Sequence, residues 1–90
     1  LKRIIKLTGI RYNLDDLERQ LSNGFEKNVF TCGSDEKLSI IIEGPPTESI
    51  SPGKVSKMIG IHKTKFKVSF MPEIPMLLSG KVDYSELAKI

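Results

Sequence analysis

Two short strings carry residue types that can grip an anion. Pro75-Met76-Leu77-Leu78-Ser79-Gly80-Lys81-Val82-Asp83 stands late in the chain, and Lys6-Leu7-Thr8-Gly9-Ile10-Arg11 stands early. A Gly-Lys pair on a turn puts one mobile ammonium beside backbone with no side chain in the way. Lysine there acts as a flexible point charge for phosphate or carboxylate. The early string adds two cations, Lys6 and Arg11, around a second bare backbone position, Gly9. Each string alone has an ordinary reading: a solvated lysine after a turn glycine, and a basic strand edge with its turn. Neither is a phosphate-cradling P-loop, which needs Gly, four residues, then Gly-Lys-Ser/Thr. Pro75 occupies the first glycine position and Val82 follows the lysine. Gly53-Lys54 fails in the same way, with Glu48 at the first position.

The elements that must position these strings follow from pattern. Arg3-Ile4-Ile5-Lys6-Leu7 reads as a strand, Thr8-Gly9 as a turn and Ile10-Arg11-Tyr12 as its return. Asn13 suits a helix N-cap, with Asp15, Asp16 and Glu18 near the positive end of the dipole. Leu14, Leu17 and Leu21 line one face, and Asn23-Gly24 predicts the helix end. Asn28 to Cys32 predicts a strand, Gly33 to Glu36 a hairpin loop, and Leu38 to Glu43 a central strand buried on both faces. Gly44-Pro45-Pro46 breaks the structure, and Ser51 caps a helix from Pro52 with Val55, Met58 and Ile59 inward. Phe66, Val68 and Phe70 alternate with Lys65, Lys67 and Ser69 as a half-buried strand. Asp83-x-x-Glu86 resembles a capping box before a short last helix. The expected fold is α+β: one domain, a small mixed sheet with packed helices, in the order β-β-α-β-β-α-β-α.

Composition bounds the function classes. Ninety residues make one domain with a modest core and no room for a deep substrate pocket besides. A hydrophobic fraction of 39% and a charged fraction of 28% describe an ordinary globular domain. A net charge of +3 is too weak to imply nucleic acid without a clustered basic face. The single cysteine cannot form an internal disulfide, which fits a reducing, cytoplasmic setting. No apolar run approaches the ~20 residues that span a membrane. The start at Leu1, inside an apolar stretch too short for a signal sequence, reads as an excised fragment.

Taken together and in this order, the two strings resemble the small C-terminal domain of the adenylate-forming enzymes: acyl-CoA synthetases, amino-acid adenylation domains and luciferases. The family ends on Pro-x-x-x-x-Gly-Lys-Ile/Val, matched by Pro75, Ser79, Gly80, Lys81 and Val82. It opens on Ile-Lys-x-x-Gly-x-Arg, matched by Ile5, Lys6, Gly9 and Arg11, with Leu17 and Glu18 in register beyond. The resemblance implies that Lys81 is catalytic, bridging a carboxylate substrate and the phosphates of ATP. It implies that the Gly9 loop, with Lys6 and Arg11, lines the channel for a pantetheine thiol. It implies that Lys2 is the hinge about which the domain turns. ATP with Mg would be bound mainly by a large N-terminal domain absent from this chain. The acceptor would be coenzyme A or a carrier-protein pantetheine. The isolated domain, residues 1–90, would be an inactive lid of an AMP-forming acid–thiol ligase. Met76 and Leu77 depart from the basic residue and Thr common after the proline, and Tyr84 replaces a frequent Arg.

The remaining reactive residues have plainer readings. His62 has no second histidine to share a metal with, and reads as a loop residue. Cys32 reads as a small hydrophobe in the sheet. Lys63, Lys65 and Lys67 alternate, which predicts one strand face, either solvated or a patch for a phosphorylated or acidic partner. The alternative function is a small basic binding module for nucleic acid or an acidic protein. The phenylalanines read as core, which leaves that module no stacking platform and favours a partner set without nucleic acid or membrane.

Overall fold

The computed structural model describes residues 3–87. Strands β1 (Ile4–Leu7) and β2 (Ile10–Asn13) form an antiparallel hairpin, followed by helix α1 (Leu14–Phe25). Then come β3 (Val29–Ser34), β4 (Lys37–Glu43), helix α2 (Pro52–Ile59), β5 (Phe66–Met71) and helix α3 (Tyr84–Leu87). The order matches the expected one, with one 3-10 turn added at Lys63–Lys65. The strands divide into two sheets, the first hairpin and a mixed sheet ordered β3-β4-β5.

Strand β4 is central because its side chains are wanted on both sides. It pairs antiparallel with β3 and parallel with β5. Leu38, Ile40 and Ile42 pack with Leu14, Leu17 and Leu21 of α1, Val55 of α2, and Ile5 and Leu7 of β1. Ile41, pointing the other way, packs with Cys32, Ile74 and Leu87. The parallel β4–β5 pair needs a crossover, and α2 supplies it. So α1, α2 and the first hairpin share one apolar cluster, and the chain after β5 closes the other.

Local chemistry sets the helix ends. The Asn13 side chain accepts from the N–H groups of Asp15 and Asp16, at 2.8 and 3.2 Å. Ser51 accepts from the Lys54 N–H at 3.3 Å, with Pro52 in the first helical turn. Helix α1, however, does not stop at Asn23-Gly24. It runs on to Phe25, and Glu26 closes it in the left-handed region at φ 55°. One helical glycine costs about 1 kcal/mol. The extra turn lets Phe25 pack against the core four residues after Leu21. Gly24 also lies where a Cβ would stand 2.0 Å from the Met58 methyl of α2.

The lysine series differs from expectation as well. Lys63 and Lys65 belong to the 3-10 turn, and β5 begins only at Phe66. His62 caps that turn, its Nδ1 accepting the Thr64 N–H at 3.2 Å. Of the three lysines, Lys67 alone stands on the strand.

The cap of α1 generates a stability prediction. A non-glycine residue held left-handed costs about 1–2 kcal/mol. Glycine there gives back roughly 0.5–1 kcal/mol in unfolded-state entropy. Glu26→Gly should therefore stabilise the domain by about 0.5–1 kcal/mol, seen as a higher urea midpoint with an unchanged slope. A lower midpoint would mean that Glu26 holds the cap by its side chain.

Candidate functional site

The sequence-predicted residues fall on two separate hairpins. In the first, Leu7 pairs with Ile10, leaving Thr8 and Gly9 as a two-residue turn. Both have positive φ, 47° and 81°. Such turns match the twist of the flanking strands and favour glycine at the second position. A Cβ on Gly9 would meet nothing within 4 Å, so its bare backbone faces open space. Lys6 and Arg11 stand directly opposite each other and are both exposed. The turn is braced from the side. Lys6 N–H donates to Asp35 Oδ1 at 3.0 Å, and Thr8 N–H donates to the Glu36 carboxylate at 3.0 and 3.1 Å. The Glu36 N–H returns a bond to the Lys6 carbonyl at 2.7 Å.

The second hairpin carries Lys81. Met76 and Val82 form an antiparallel bridge. Leu77 N–H donates to the Lys81 carbonyl at 2.7 Å, and Gly80 N–H to the Leu77 carbonyl at 2.9 Å. Gly80 sits at φ 88°. A turn followed by a left-handed glycine is a three-residue hairpin loop with a glycine bulge. Pro75 fixes the base, its carbonyl accepting Asp83 N–H at 2.9 Å. Ser79, Gly80 and Lys81 are exposed. No described residue pairs with the Lys81 ammonium. Leu78 at the tip is fully exposed, and Met76 and Leu77 are half exposed. Asp83 then caps α3, accepting from Glu86 N–H at 3.2 Å.

A polar network that pattern reading missed joins the two parts. Arg3 Nη2 donates to Glu18 Oε2 at 2.8 Å and to the Thr31 carbonyl at 3.1 Å. Thr31 N–H donates to Glu18 Oε2 at 3.0 Å, and the Tyr84 hydroxyl donates to Glu18 Oε2 at 2.8 Å. The Arg3 guanidinium stacks over the Tyr84 ring, 4.0 Å from its centre. Arg3 Nε lies 3.2 Å from Asp15 Oδ1 but is not aligned for a hydrogen bond, so that contact is charge proximity only. Glu18 is thus the hub of a network rather than a dipole partner. The available signal was register: Arg3 shares the inward face with Ile5 and Leu7, and an inward cation needs an acid. Tyr84 is the neutral donor. Burial, then its bond to Glu18, pushes the Tyr84 hydroxyl up to about 12. A cleft of about 400 Å³ opens beside Arg3, Cys32 and Tyr84, and does not reach Lys81. Burial raises the Cys32 thiol above its ordinary value. Lys2, the expected hinge, lies outside the described residues.

No family model matches the chain. A nonribosomal peptide synthetase of Aspergillus oryzae, aclP, is 28% identical over 91 residues, covering 98% of this chain and 6% of that protein. Among solved structures, an acyl-CoA synthetase (AMP-forming)/AMP-acid ligase II-like protein from Dyadobacter fermentans superposes with a TM-score of 0.77 at 15% identity. That match covers 98% of this chain and 29% of the other. The chain has the fold of one part of the AMP-forming ligases. The amide bond synthetase McbA from Marinactinospora thermotolerans matches over 99% of this chain and 20% of its own, with a TM-score of 0.67 at 14% identity. MbtA of Mycobacterium smegmatis matches over 98% and 19%, with a TM-score of 0.64 at 18% identity. The chain therefore spans less than a third of each of these proteins. No helix among its described residues is long and apolar enough to cross a membrane.

The Tyr84 hydroxyl generates a pH prediction. In the unfolded chain it ionises near pH 10, and in the folded one near pH 12. The unfolded chain sheds its proton first, so stability present below pH 10 is lost as the pH rises towards 12. Tyr84→Phe removes this loss while the lysines still titrate. Its urea midpoint should fall less than that of the unchanged chain over this range. Equal falls would show that neither burial nor Glu18 raises the Tyr84 hydroxyl.

Proposed function

We propose that residues 1–90 are the C-terminal lid domain of an AMP-forming carboxylate ligase, with Lys81 as its catalytic residue. The observation that carries this reading is an ammonium with no acid partner among the described residues, on an exposed glycine-bulge hairpin, in a domain with the fold of part of an AMP-forming ligase. The chemistry explains why such a group is needed. A substrate carboxylate must attack the α-phosphate of ATP, so two anions meet. A long cation offsets their repulsion and stabilises the charge that grows in the transition state. Ser79 and Gly80 keep the loop thin, and Pro75 fixes its base.

The Gly9 turn serves the second half-reaction in this reading. Its open backbone gives a thin pantetheine thiol, of coenzyme A or a carrier protein, a path along the hairpin. Lys6 and Arg11 are placed side by side to receive an anionic part of the acceptor. Lys2 is the hinge. The two hairpins act in turn, by rotation of the domain against a large N-terminal domain of the same polypeptide. ATP, Mg and the carboxylic acid are held mainly by that domain. Among the described residues no group of three or more His, Cys, Asp and Glu is placed to hold a metal. The compartment is the cytoplasm. A stacking nucleic-acid module is the weaker alternative, since Phe25, Phe66 and Phe70 pack against one apolar cluster and Phe30 against the other.

In the full-length ligase, Lys81→Ala should slow ATP–pyrophosphate exchange by about 10²–10³. Thioester formation from supplied acyl-adenylate should change much less. Gly9→Leu should do the reverse. Gly9→Asn, which tolerates the left-handed turn better, controls for strain. Equal losses in both half-reactions for Lys81→Ala and Gly9→Leu would sink the two-face assignment. The ninety-residue chain alone should show no micromolar ATP affinity by calorimetry, because a lysine hairpin lacks an enclosing pocket. Tight binding would contradict the lid reading.

A further inference from the structure

We propose that Glu18 is a positioning residue for Lys81, acting through the Tyr84 hydroxyl; the inference rests on the reading of Lys81 given above. The Lys81 hairpin is held to the domain at its two ends. At one end Ile74 is buried, and at the other Val82, Tyr84 and Leu87 pack on the same cluster. Apolar contacts of this kind set depth and leave orientation loose, since they are not directional. The described part of helix α3 is a single turn, Tyr84–Leu87, and one turn by itself fixes little orientation. The directional contact is the Tyr84 hydroxyl, which reaches both oxygens of Glu18, at 2.8 and 3.1 Å. Tyr84 is three residues from Lys81.

Glu18 can serve as a fixed point because it is itself held from two other sides. Arg3 donates to it at 2.8 Å, and the N–H of Thr31 donates at 3.0 Å. Thr31 is fully buried on β3, and its hydroxyl is tied to the Leu14 carbonyl at 2.9 Å. The line from rigid strand to mobile cation therefore runs Thr31, Glu18, Tyr84, Asp83, Val82, Lys81. Arg3 leads directly into β1, so the same carboxylate also references the Gly9 hairpin. One group thus sets how both hairpins stand on the body of the domain.

The test uses the full-length ligase and two variants. Tyr84→Phe keeps the ring over Arg3 and the buried area, and removes one donor. Glu18→Gln keeps the shape but cannot hold Arg3, Thr31 and Tyr84 as a carboxylate does. A misplacement of about 1 Å at a reacting centre can cost up to roughly a hundredfold. Each variant should lower kcat for pyrophosphate exchange by about ten- to a hundredfold with KM for ATP little changed, and Glu18→Gln should lower the thermal midpoint more than Tyr84→Phe does. Thioester formation from supplied acyl-adenylate should be largely spared by Tyr84→Phe. In a Lys81→Ala background, Tyr84→Phe should cost nothing further, because its effect passes through the ammonium. For Tyr84→Phe, a penalty that persists in that background, or falls equally on both half-reactions, would make the network merely structural and overturn the proposal. If Glu18→Gln fails to fold, Tyr84→Phe still decides. The reading of Lys81 fails separately, and takes the proposal with it, if Lys81→Ala itself leaves exchange intact. An effective Lys81→Ala beside a silent Tyr84→Phe overturns the positioning role alone.

Discussion

Strand β3 is an edge strand, and among the described residues no strand pairs the outer backbone groups of its buried Thr31. A buried amide or carbonyl left without a partner costs about 1–3 kcal/mol. Glu18 and Arg3 take the place of that missing strand: the carboxylate accepts the Thr31 N–H and the guanidinium donates to the Thr31 carbonyl. The two side chains also pair with each other at 2.8 Å. Neither would sit half-buried here alone without cost, because an isolated charge loses hydration. The edge is thus closed by an ion pair rather than by a ladder, and three elements follow from it. Helix α1 must present Glu18 to β3, β1 must begin with Arg3 turned inward, and α3 must bring Tyr84 over both.

That constraint explains how so small a domain supports two exposed hairpins. The first shares its inward residues, Ile5 and Leu7, with the α1 side of the sheet. The second is rooted by Ile74 and Leu87 on the other side. Without a link around the edge of β3, the two would be coupled only through the thickness of the sheet. The polar hub goes around that edge. Hydrogen bonds to charged groups contribute about 1.5–3 kcal/mol each and are directional. They fix relative orientation, which apolar packing of the same size does not.

Much of this was legible in the chain, and the parts that were not share a cause. Strand and helix order followed from the alternation at Phe66, Val68 and Phe70 and the spacing of Leu14, Leu17 and Leu21, because those patterns record burial one element at a time. Asn13, Ser51 and Asp83 announced their caps for the same reason. The end of α1 was misplaced because Gly24 answers to Met58 of another helix, and that contact has no local signature. Lys65 was assigned to the wrong element because alternation alone cannot tell the start of β5 from a preceding turn. The resemblance put Glu18 in register, but its role depends on Arg3, Thr31 and Tyr84, up to 66 residues away. A polar hub is written in no window of sequence. Only Arg3, a cation on an otherwise apolar inward register, hinted at it.

The cations of the two hairpins behave unlike Arg3. Arg3 is spent on the fold, and Arg19 pairs with Asp16 at 3.2 Å on the helix surface. Lys6, Arg11 and Lys81 have no acid partner among the described residues. Many surface lysines stand free, so freedom alone carries little. What separates these three is backbone geometry. Lys6 and Arg11 are opposed across a two-residue turn, where like charges destabilise by up to about 1 kcal/mol. Lys81 follows a left-handed glycine that holds it on the outer arm of a hairpin. An arrangement that repels itself in the free domain becomes favourable once an anion enters it. The Glu18 hub supplies the directional contacts of the domain's interior edge, and the two hairpins that it references carry Lys6, Arg11 and Lys81 outward.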